Sequence, residues 1–240
     1  RSASAPSRLP APFARWSFDS NARDQSGALH AELLGSATLR DGRLVLDGRD
    51  SYARTAPLGR ELREKTLEAW VALADLDQRG GGIISVETED GVTFDAIVFA
   101  EKDPRRWMAG SNFFKRTRTV DGPAETAKPG ELVHIAIAYR GDGSISIFRN
   151  GRAYGAAYTP DGGAPVEFPK SARLLFGRRH TGGGRSFFNG AIDEARLYDR
   201  ALSTEEIAAS FQAGPTGVTA AEIARAMTPE QRAQIGRAHV

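Results

Sequence analysis

The chain has 240 residues, no cysteine and a formal charge of +2 at pH 7, from 32 Lys and Arg against 30 Asp and Glu. The absence of cysteine excludes disulfides and thiolate metal sites, and so small a charge excess does not indicate nucleic acid as a partner. Because no stretch approaches 18 consecutive apolar residues, the sequence predicts no membrane insertion.

The chain begins with a segment that lacks apolar periodicity. Residues 1–12, RSASAPSRLPAP, are rich in Ser, Ala and Pro, so we interpret them as a linker or disordered arm. From residue 13 onwards, strand-like runs bounded by Gly, Asp, Asn and Pro recur about every 8 to 12 residues, as in a sandwich or jelly roll. The predicted strands are 13–18, 43–47, 51–56, 66–73, 82–88, 93–100, 106–111, 132–139, 144–149, 152–158, 173–177 and 191–198.

Two turn sequences indicate how neighbouring strands pair. Asn150-Gly151 and Asp90-Gly91 favour the left-handed backbone that tight hairpins require. No long amphipathic helix interrupts residues 13–200, which argues against alternating strands and helices. We therefore predict antiparallel pairing throughout the β region.

The pattern changes near the end of the chain. After Tyr198 the apolar period shifts from two to about 3.6, and Ser203 followed by Glu206 forms a capping box, which predicts a helix start. Similar capping devices recur in the tail. We predict a β domain over residues 13–211 and a helical extension, or a linker to a following domain, over residues 212–240.

The order of the motifs resembles that of laminin G-like or concanavalin A-like jelly-roll modules. The resemblance covers about residues 13–211 and implies an all-β fold, namely an antiparallel two-sheet jelly-roll sandwich with a short C-terminal helical extension. Leu132 stands where the family usually has tryptophan, which suggests altered core packing. The matching motifs are WSFD (16–19), DQSG (24–27), LVLDGRDSYART (44–55), TLEAWVAL (66–73), LVHIAIAYRGDGSISIFRNGRAYG (132–155), LLFGRR (174–179) and FFNGAIDEARLYDRALSTEEI (187–207).

The resemblance also carries functional expectations. Most such modules bind glycans or proteins or act as spacers, some relatives are glycosidases, and similar modules occur within very large exported proteins of planctomycetes. The resemblance implies a non-catalytic recognition module of a larger exported protein that is extracellular, periplasmic or at the cell surface. Its partners would be a glycan or protein ligand and other domains of the parent chain. A structural spacer and a glycoside hydrolase are the alternatives.

Asp193 and Glu194 stand side by side in the last predicted strand. Adjacent side chains of a strand point to opposite faces, so these two carboxylates cannot converge on one substrate. Asp193 shares its face with Ala195 and Leu197, which we predict to be the core side. A carboxylate on a core face needs hydrogen bonds, a cation or a metal ion.

The resemblance suggests a structural Ca²⁺ near this aspartate. In related jelly rolls the corresponding aspartate and an acidic residue of the first strand often help to hold Ca²⁺, and by resemblance these positions are Asp193 and Asp19. Such an ion takes six to eight oxygen ligands, many of them backbone carbonyls. The alternative is that Asp193 bonds backbone amides or an arginine.

The carboxylates do not fit a laminarinase-like glycosidase. The resemblance would require two carboxylates about 5 Å apart on one strand. The nearest approach is EKDPRR (101–106), where arginine stands in place of the last carboxylate and Pro104 interrupts the strand. We therefore predict no catalytic residue and no enzymatic activity.

Two stretches combine arginine with aromatic residues, RRWMAGSNFFKRTR (105–118) and GRRHTGGGRSFF (177–188). Aromatic rings stack on sugars and arginines bind carboxylates or sulfates, so the two stretches together predict an anionic-glycan or acidic-protein site. Alternatively, the aromatic residues belong to the core and the arginines form a solvated rim. The candidate ligand-binding residues are Arg105, Arg106, Trp107, Asn112, Arg178, Arg179, His180 and Arg185.

Overall fold

A computed structural model describes residues 9–161, 166–184, 186–215 and 227–228. Within these residues the chain forms fourteen strands, one short 3-10 helix (Asn112–Phe114) and one α-helix. Residues 1–8 of the predicted arm, Arg185 and most of the predicted helical extension lie outside the described residues. The elements are β1 Ala14–Trp16, β2 Ala31–Leu34, β3 Thr38–Arg40, β4 Arg43–Asp47, β5 Tyr52–Thr55, β6 Lys65–Leu73, β7 Gly81–Glu87, β8 Phe94–Phe99, β9 Trp107–Ser111, β10 Leu132–Tyr139, β11 Ile145–Arg149, β12 Arg152–Ala153, β13 Arg173–Phe176, β14 Asn189–Tyr198 and α1 Thr204–Ala213.

The strands form two antiparallel sheets. Sheet A has the order β12-β11-β10-β6-β14-β4-β3, with β1 paired to the later part of β14. Sheet B has the order β2-β5-β13-β7-β8-β9. The predicted all-β, antiparallel two-sheet sandwich is confirmed.

The core lies between the sheets because apolar residues alternate along the strands with a period of two. In β6, for example, Leu67, Ala69 and Val71 are buried in the core shared by both sheets. Trp16 of sheet A and Phe176 of sheet B meet there, with their ring centroids 4.8 Å apart. The opposite face of each sheet is the outer face.

The predicted hairpins are present. Asn150 and Gly151 have φ angles of 49° and 71° and join β11 to β12, and the turn at Asp90-Gly91 joins β7 to β8. The sequence prediction missed β2 and β3, which are short and only partly buried. It also made the run 152–158 too long, because β12 contains only two residues.

Helix α1 begins at the predicted capping box. The Ser203 hydroxyl accepts a hydrogen bond from the Glu206 backbone N–H, and the Glu206 carboxylate accepts one from the Ser203 N–H at 2.9 Å. The helix covers the outer face of sheet A, where Ile207 packs with Ala136 and Phe148. Both faces of this part of sheet A are therefore buried.

A buried polar network lies between α1 and sheet A. The Glu68 carboxylate contacts His134 Nε2 at 2.8 Å and accepts hydrogen bonds from the hydroxyls of Tyr198 and Ser210, each at 2.9 Å. Arg196 donates to the Ser210 hydroxyl at 2.8 Å. Burial opposes ionisation of Glu68, but His134, Arg196 and Tyr198 outweigh it and hold the pKa of Glu68 below its usual value.

A β-bulge in β14 changes the faces predicted for its two adjacent acids. The register of β14 against β6 shifts between Ile192 and Glu194, so Asp193 is an extra residue in this strand. Ile192 before the bulge and Ala195 after it both face the core. The prediction that Asp193 faces the core is therefore wrong.

The prediction that the two carboxylates point to opposite faces is also wrong, because both line one cavity outside the core. They nevertheless have separate arginine partners. Asp193 is 21% exposed and accepts a hydrogen bond from Arg43 Nε at 2.9 Å. Glu194 is 1% exposed and accepts one from Arg15 Nη2 at 2.9 Å. The arginine alternative thus accounts for the charge of Asp193.

Candidate functional site

A cavity of about 330 Å³ opens between sheet B and two loops. One wall contains Val92 and Phe94 at the start of β8, and a second contains Phe113 and Phe114 of the 3-10 helix after β9. The third wall comes from residues 179–183 of the loop between β13 and β14. We call this recess the Phe113–Phe114 cavity.

The cavity brings together large exposed apolar side chains of the described residues. Among the described residues, the large hydrophobic side chains that are exposed are Val92, Phe113 and Phe114, and all three line this cavity. Phe113 is 79% exposed. Scattered apolar residues on a surface need no explanation, but a cluster of them indicates a contact surface.

The backbone of the two phenylalanines is strained. Phe113 and Phe114 have φ angles of 52° and 56°, in the left-handed region that bulky residues rarely adopt. Such a conformation persists when the surrounding structure enforces it, and it is frequent at ligand sites. The rings are therefore held outward by the fold.

Arg116 is the residue that fixes this segment. It donates to the Asp95 carboxylate and to the Phe94 carbonyl, each at 2.8 Å, and to the Asn112 side chain at 3.0 Å. Asp95 also forms a 2.8 Å ion pair with Lys65, and both side chains are fully buried between the sheets. The 3-10 helix is thus anchored to a charge cluster inside the sandwich.

His180 forms the opposite wall. Its ring stacks on Phe94 with centroids 4.3 Å apart and planes 7° from parallel, and its Nδ1 lies 3.0 Å from the Gly91 carbonyl. Burial, assisted by the nearby arginines, lowers the pKa of His180 despite this hydrogen bond. The ring therefore lies flat against Phe94, where it lines the cavity.

The arginines near the cavity are already paired. Arg179 forms an ion pair with Glu101, whose pKa is raised by burial against the attraction of that arginine. The Arg178 guanidinium lies 5.0 Å from the ring centroid of Tyr52 and 4.9 Å from that of Phe187. Among the residues that line the cavity, the charge of Arg179 is therefore matched by that of Glu101.

The first arginine stretch contributes less than predicted. Arg105 is exposed and pairs with Asp77 at 3.0 Å, and Arg106 donates to the Gly122 carbonyl. Trp107 is 1% exposed, so its prediction as a ligand contact is wrong; it belongs to the core. Neither arginine lines the cavity.

The outcome for the predicted site is therefore mixed. Of the predicted residues, the cavity brings together Asn112, Arg179 and His180. The core alternative is confirmed for Trp107 and Phe188, but it is wrong for the two exposed phenylalanines. Arg185 lies outside the described residues.

The two candidate calcium ligands lie together. Asp19 and Asp193 line a smaller cavity of about 210 Å³ beside Glu194. Two of these three carboxylates already have arginine partners, Arg43 and Arg15. In the described part of the chain, no group of three or more His, Cys, Asp or Glu side chains is arranged to hold a metal ion. The carboxylates present thus supply few of the oxygens that Ca²⁺ needs.

The comparisons with known proteins concern this whole β region. A laminin G model of the concanavalin A-like lectin/glucanases superfamily matches residues 47–208. Comparison with curated proteins gives no match. Within residues 9–161, 166–184, 186–215 and 227–228, no helix has the length and apolar character of a membrane span.

Several solved structures share the fold. Domain 4 of AbnA, an extracellular GH43 arabinanase from Geobacillus stearothermophilus in complex with arabinotriose, is similar with a TM-score of 0.63 and 20% identity, over 82% of this chain and 96% of that one. A Trypanosoma rangeli sialidase is similar with a TM-score of 0.62 and 16% identity, over 87% of this chain and 34% of that one. The binding domain of botulinum neurotoxin serotype G is similar with a TM-score of 0.59 and 11% identity, over 84% of this chain and 51% of that one. This chain thus spans about a third of the sialidase and half of the toxin domain, and at these identities the likeness concerns the fold.

Proposed function

We propose that this chain, which belongs to the concanavalin A-like lectin/glucanases superfamily, is a non-catalytic recognition module that binds carbohydrate in the Phe113–Phe114 cavity. The observation that carries the proposal is the clustering there of the exposed large apolar side chains of the described residues. The carbohydrate complex of the similar arabinanase domain supports the choice of ligand class. We further propose that the module belongs to a larger exported protein.

The chemistry of the cavity suits an uncharged sugar. The rings of Phe113 and Phe114 offer apolar faces on which the C–H groups of a sugar ring can pack. Asn112 and His180 add polar groups that can bond to hydroxyls. Because Arg179 is matched by Glu101, the cavity gives no strong preference for an anion.

The same geometry argues against hydrolysis. Glu101 is the one carboxylate among the residues that line the cavity, whereas glycoside hydrolases generally use two. Its ion pair with Arg179 also removes it from the role of a free acid or base. A recognition role therefore has better support than the glycosidase alternative.

A glycan array, followed by calorimetry, tests this function. We expect the protein to bind neutral oligosaccharides, and the double variant F113S/F114S to lose at least tenfold in affinity, since each aromatic contact contributes about 0.5–1.5 kcal/mol beyond its buried area. Arg152→Ala, an exposed change on β12 of sheet A, is the matched control. Absence of any glycan ligand at millimolar concentration would favour the spacer alternative.

We propose separately that Asp19 and Asp193 together bind one Ca²⁺ ion. If an ion binds there, thermal unfolding in calcium should occur at a higher temperature than in a chelator, because a ligand of the native state stabilises it. The variant D19N/D193N should abolish that difference. Equal melting temperatures with and without chelator would refute the proposal and leave Arg43 as the partner of Asp193.

A further inference from the structure

A second recess lies on the outer face of sheet B, away from the Phe113–Phe114 cavity. Its volume is about 320 Å³, and its lining includes His30, Arg54, Ala56, Pro57 and Arg173. The residues come from the ends of β2, β5 and β13, which are neighbours in the sheet. We call it the Arg54–Arg173 recess.

Strand register explains why two arginines meet here. Arg54 of β5 is paired with Leu175 of β13, so Arg173, two residues along, is its diagonal neighbour on the same face. The Ala56 N–H donates to the His30 carbonyl at 3.3 Å. Because Ala56 has a small side chain, space remains between His30 and Arg173.

Both arginines carry buried donors without an acceptor. The Nε atoms of Arg54 and Arg173 are buried and have no hydrogen-bond partner among the described residues. Arg54 pairs through Nη2 with Glu32 at 2.7 Å, whereas Arg173 makes no ion pair with any residue that the structure describes. Unsatisfied buried donors are uncommon in native proteins and costly to retain. An acceptor that enters the recess would meet the terminal nitrogens of the guanidinium groups first, and would reach the buried Nε atoms only if the side chains shifted.

His30 supplies a third donor. Its Nδ1 accepts a hydrogen bond from the Asp24 N–H at 3.2 Å, so in the neutral ring the proton is on Nε2. The lining of the recess thus combines two guanidinium groups and an imidazole with the carboxylate of Glu32. A second carboxylate, Glu87, is the cross-strand partner of Arg173 and also attracts Arg54. Guanidinium groups match the planar, bidentate geometry of carboxylates and bind sulfates in the same manner.

We propose that the Arg54–Arg173 recess binds one carboxylate or sulfate group of an acidic sugar. The choice of a sugar over an acidic peptide rests on the function proposed above. In sheet B, β5 is three strands from β8, about 15 Å at the usual strand spacing. A polysaccharide could therefore contact this recess and the Phe113–Phe114 cavity together.

Titration calorimetry with two acidic probes tests the recess. Oligogalacturonate presents carboxylates and a sulfated galactan fragment presents sulfates, so the comparison distinguishes the two anions. We expect Arg173→Gln to reduce the affinity for at least one probe about tenfold, the effect of losing one charge-assisted contact. Arg173→Lys should retain part of the affinity. Arg152→Gln, on the other sheet, is the matched control, and melting temperatures verify that each variant folds.

Three results would overturn the proposal. The first is equal loss in the Arg173 and Arg152 variants, which would indicate general charge attraction. The second is the absence of binding of either acidic probe to the wild type. The third is tighter binding of polyglutamate than of both sugars, with the same dependence on Arg173, which would identify an acidic protein as the partner.

The proposal for the recess and the proposal for the cavity can be refuted independently of each other. Binding of the acidic sugar that depends on Arg173 but persists in F113S/F114S supports the recess, even if no neutral glycan binds. Binding of neutral glycans that is lost in F113S/F114S, without any binding of acidic probes, refutes the recess and leaves the proposed function intact.

Discussion

Replacement of Arg196 by methionine is expected to lower the free energy of unfolding by about 3–5 kcal/mol. Methionine fills much of the volume of the arginine stem but leaves Glu68 and Glu194 buried without their shared cation. The change also removes the stacking of the guanidinium on Trp70, 4.5 Å from the ring centroid. Chemical denaturation of the purified variant measures the loss.

Arg200→Met provides the matched control for this prediction. Arg200 also pairs with a glutamate, Glu206, but it is 46% exposed. Exposed ion pairs contribute about 0–1 kcal/mol, so this variant should unfold almost like the wild type. If the two variants lost equal stability, the network beneath α1 would not be the reason for the effect of Arg196.

Asp95→Leu is expected to produce a loss of similar size, about 3–5 kcal/mol. It leaves Lys65, which is fully buried, without its carboxylate. The rings of Tyr139 and Phe168, at 4.4 Å and 4.8 Å, and the Arg63 carbonyl, at 3.4 Å, remain near that charge. Burial already lowers the pKa of Lys65 against the attraction of Asp95. Without that attraction the charged form becomes still less favourable.

The double variant K65M/D95L separates electrostatics from packing. The second change removes the unpaired Lys65 charge, so the double variant should be more stable than D95L alone, although Arg116 still lacks its carboxylate partner. We expect glycan affinity to fall in D95L and not to recover in the double variant, because in both Arg116 has lost one of the three acceptors that hold it beside the 3-10 helix. Additive losses of stability in a double-mutant cycle would contradict this interpretation, and so would full glycan affinity in the double variant.

The strands that sequence reasoning identified correctly share a physical cause. Runs such as 66–73 and 132–139 are long, apolar on at least one face and bounded by turn residues, so burial and local propensity agree. β2 and β3 have three or four residues and weak burial, and long-range pairing with β5 and β4 creates them. The bulge at Asp193 could not be predicted from the sequence either, because the alternating pattern of a strand does not reveal which residue is inserted.

The candidate site was predictable in part for similar reasons. The two predicted stretches of arginine and aromatic residues supply two walls of the Phe113–Phe114 cavity, whereas ligand binding there stays a prediction. Phe113 is 79% exposed and has a left-handed backbone, and nothing in the local sequence specifies either property. Arg54 and Arg173 are 119 positions apart, so only the pairing of β5 with β13 brings them together; the one local signal was their place in predicted strands.

The bulge in β14 also bears on how this domain can evolve. Because Asp193 is an extra residue that no position of β6 pairs with, Ile192 and Ala195 remain on the core face whether or not it is present. A lineage can therefore gain or lose this carboxylate by a one-codon insertion or deletion without repacking the sandwich. Arg43 would then lose its ion-pair partner, but its side chain is 31% exposed and can be solvated instead.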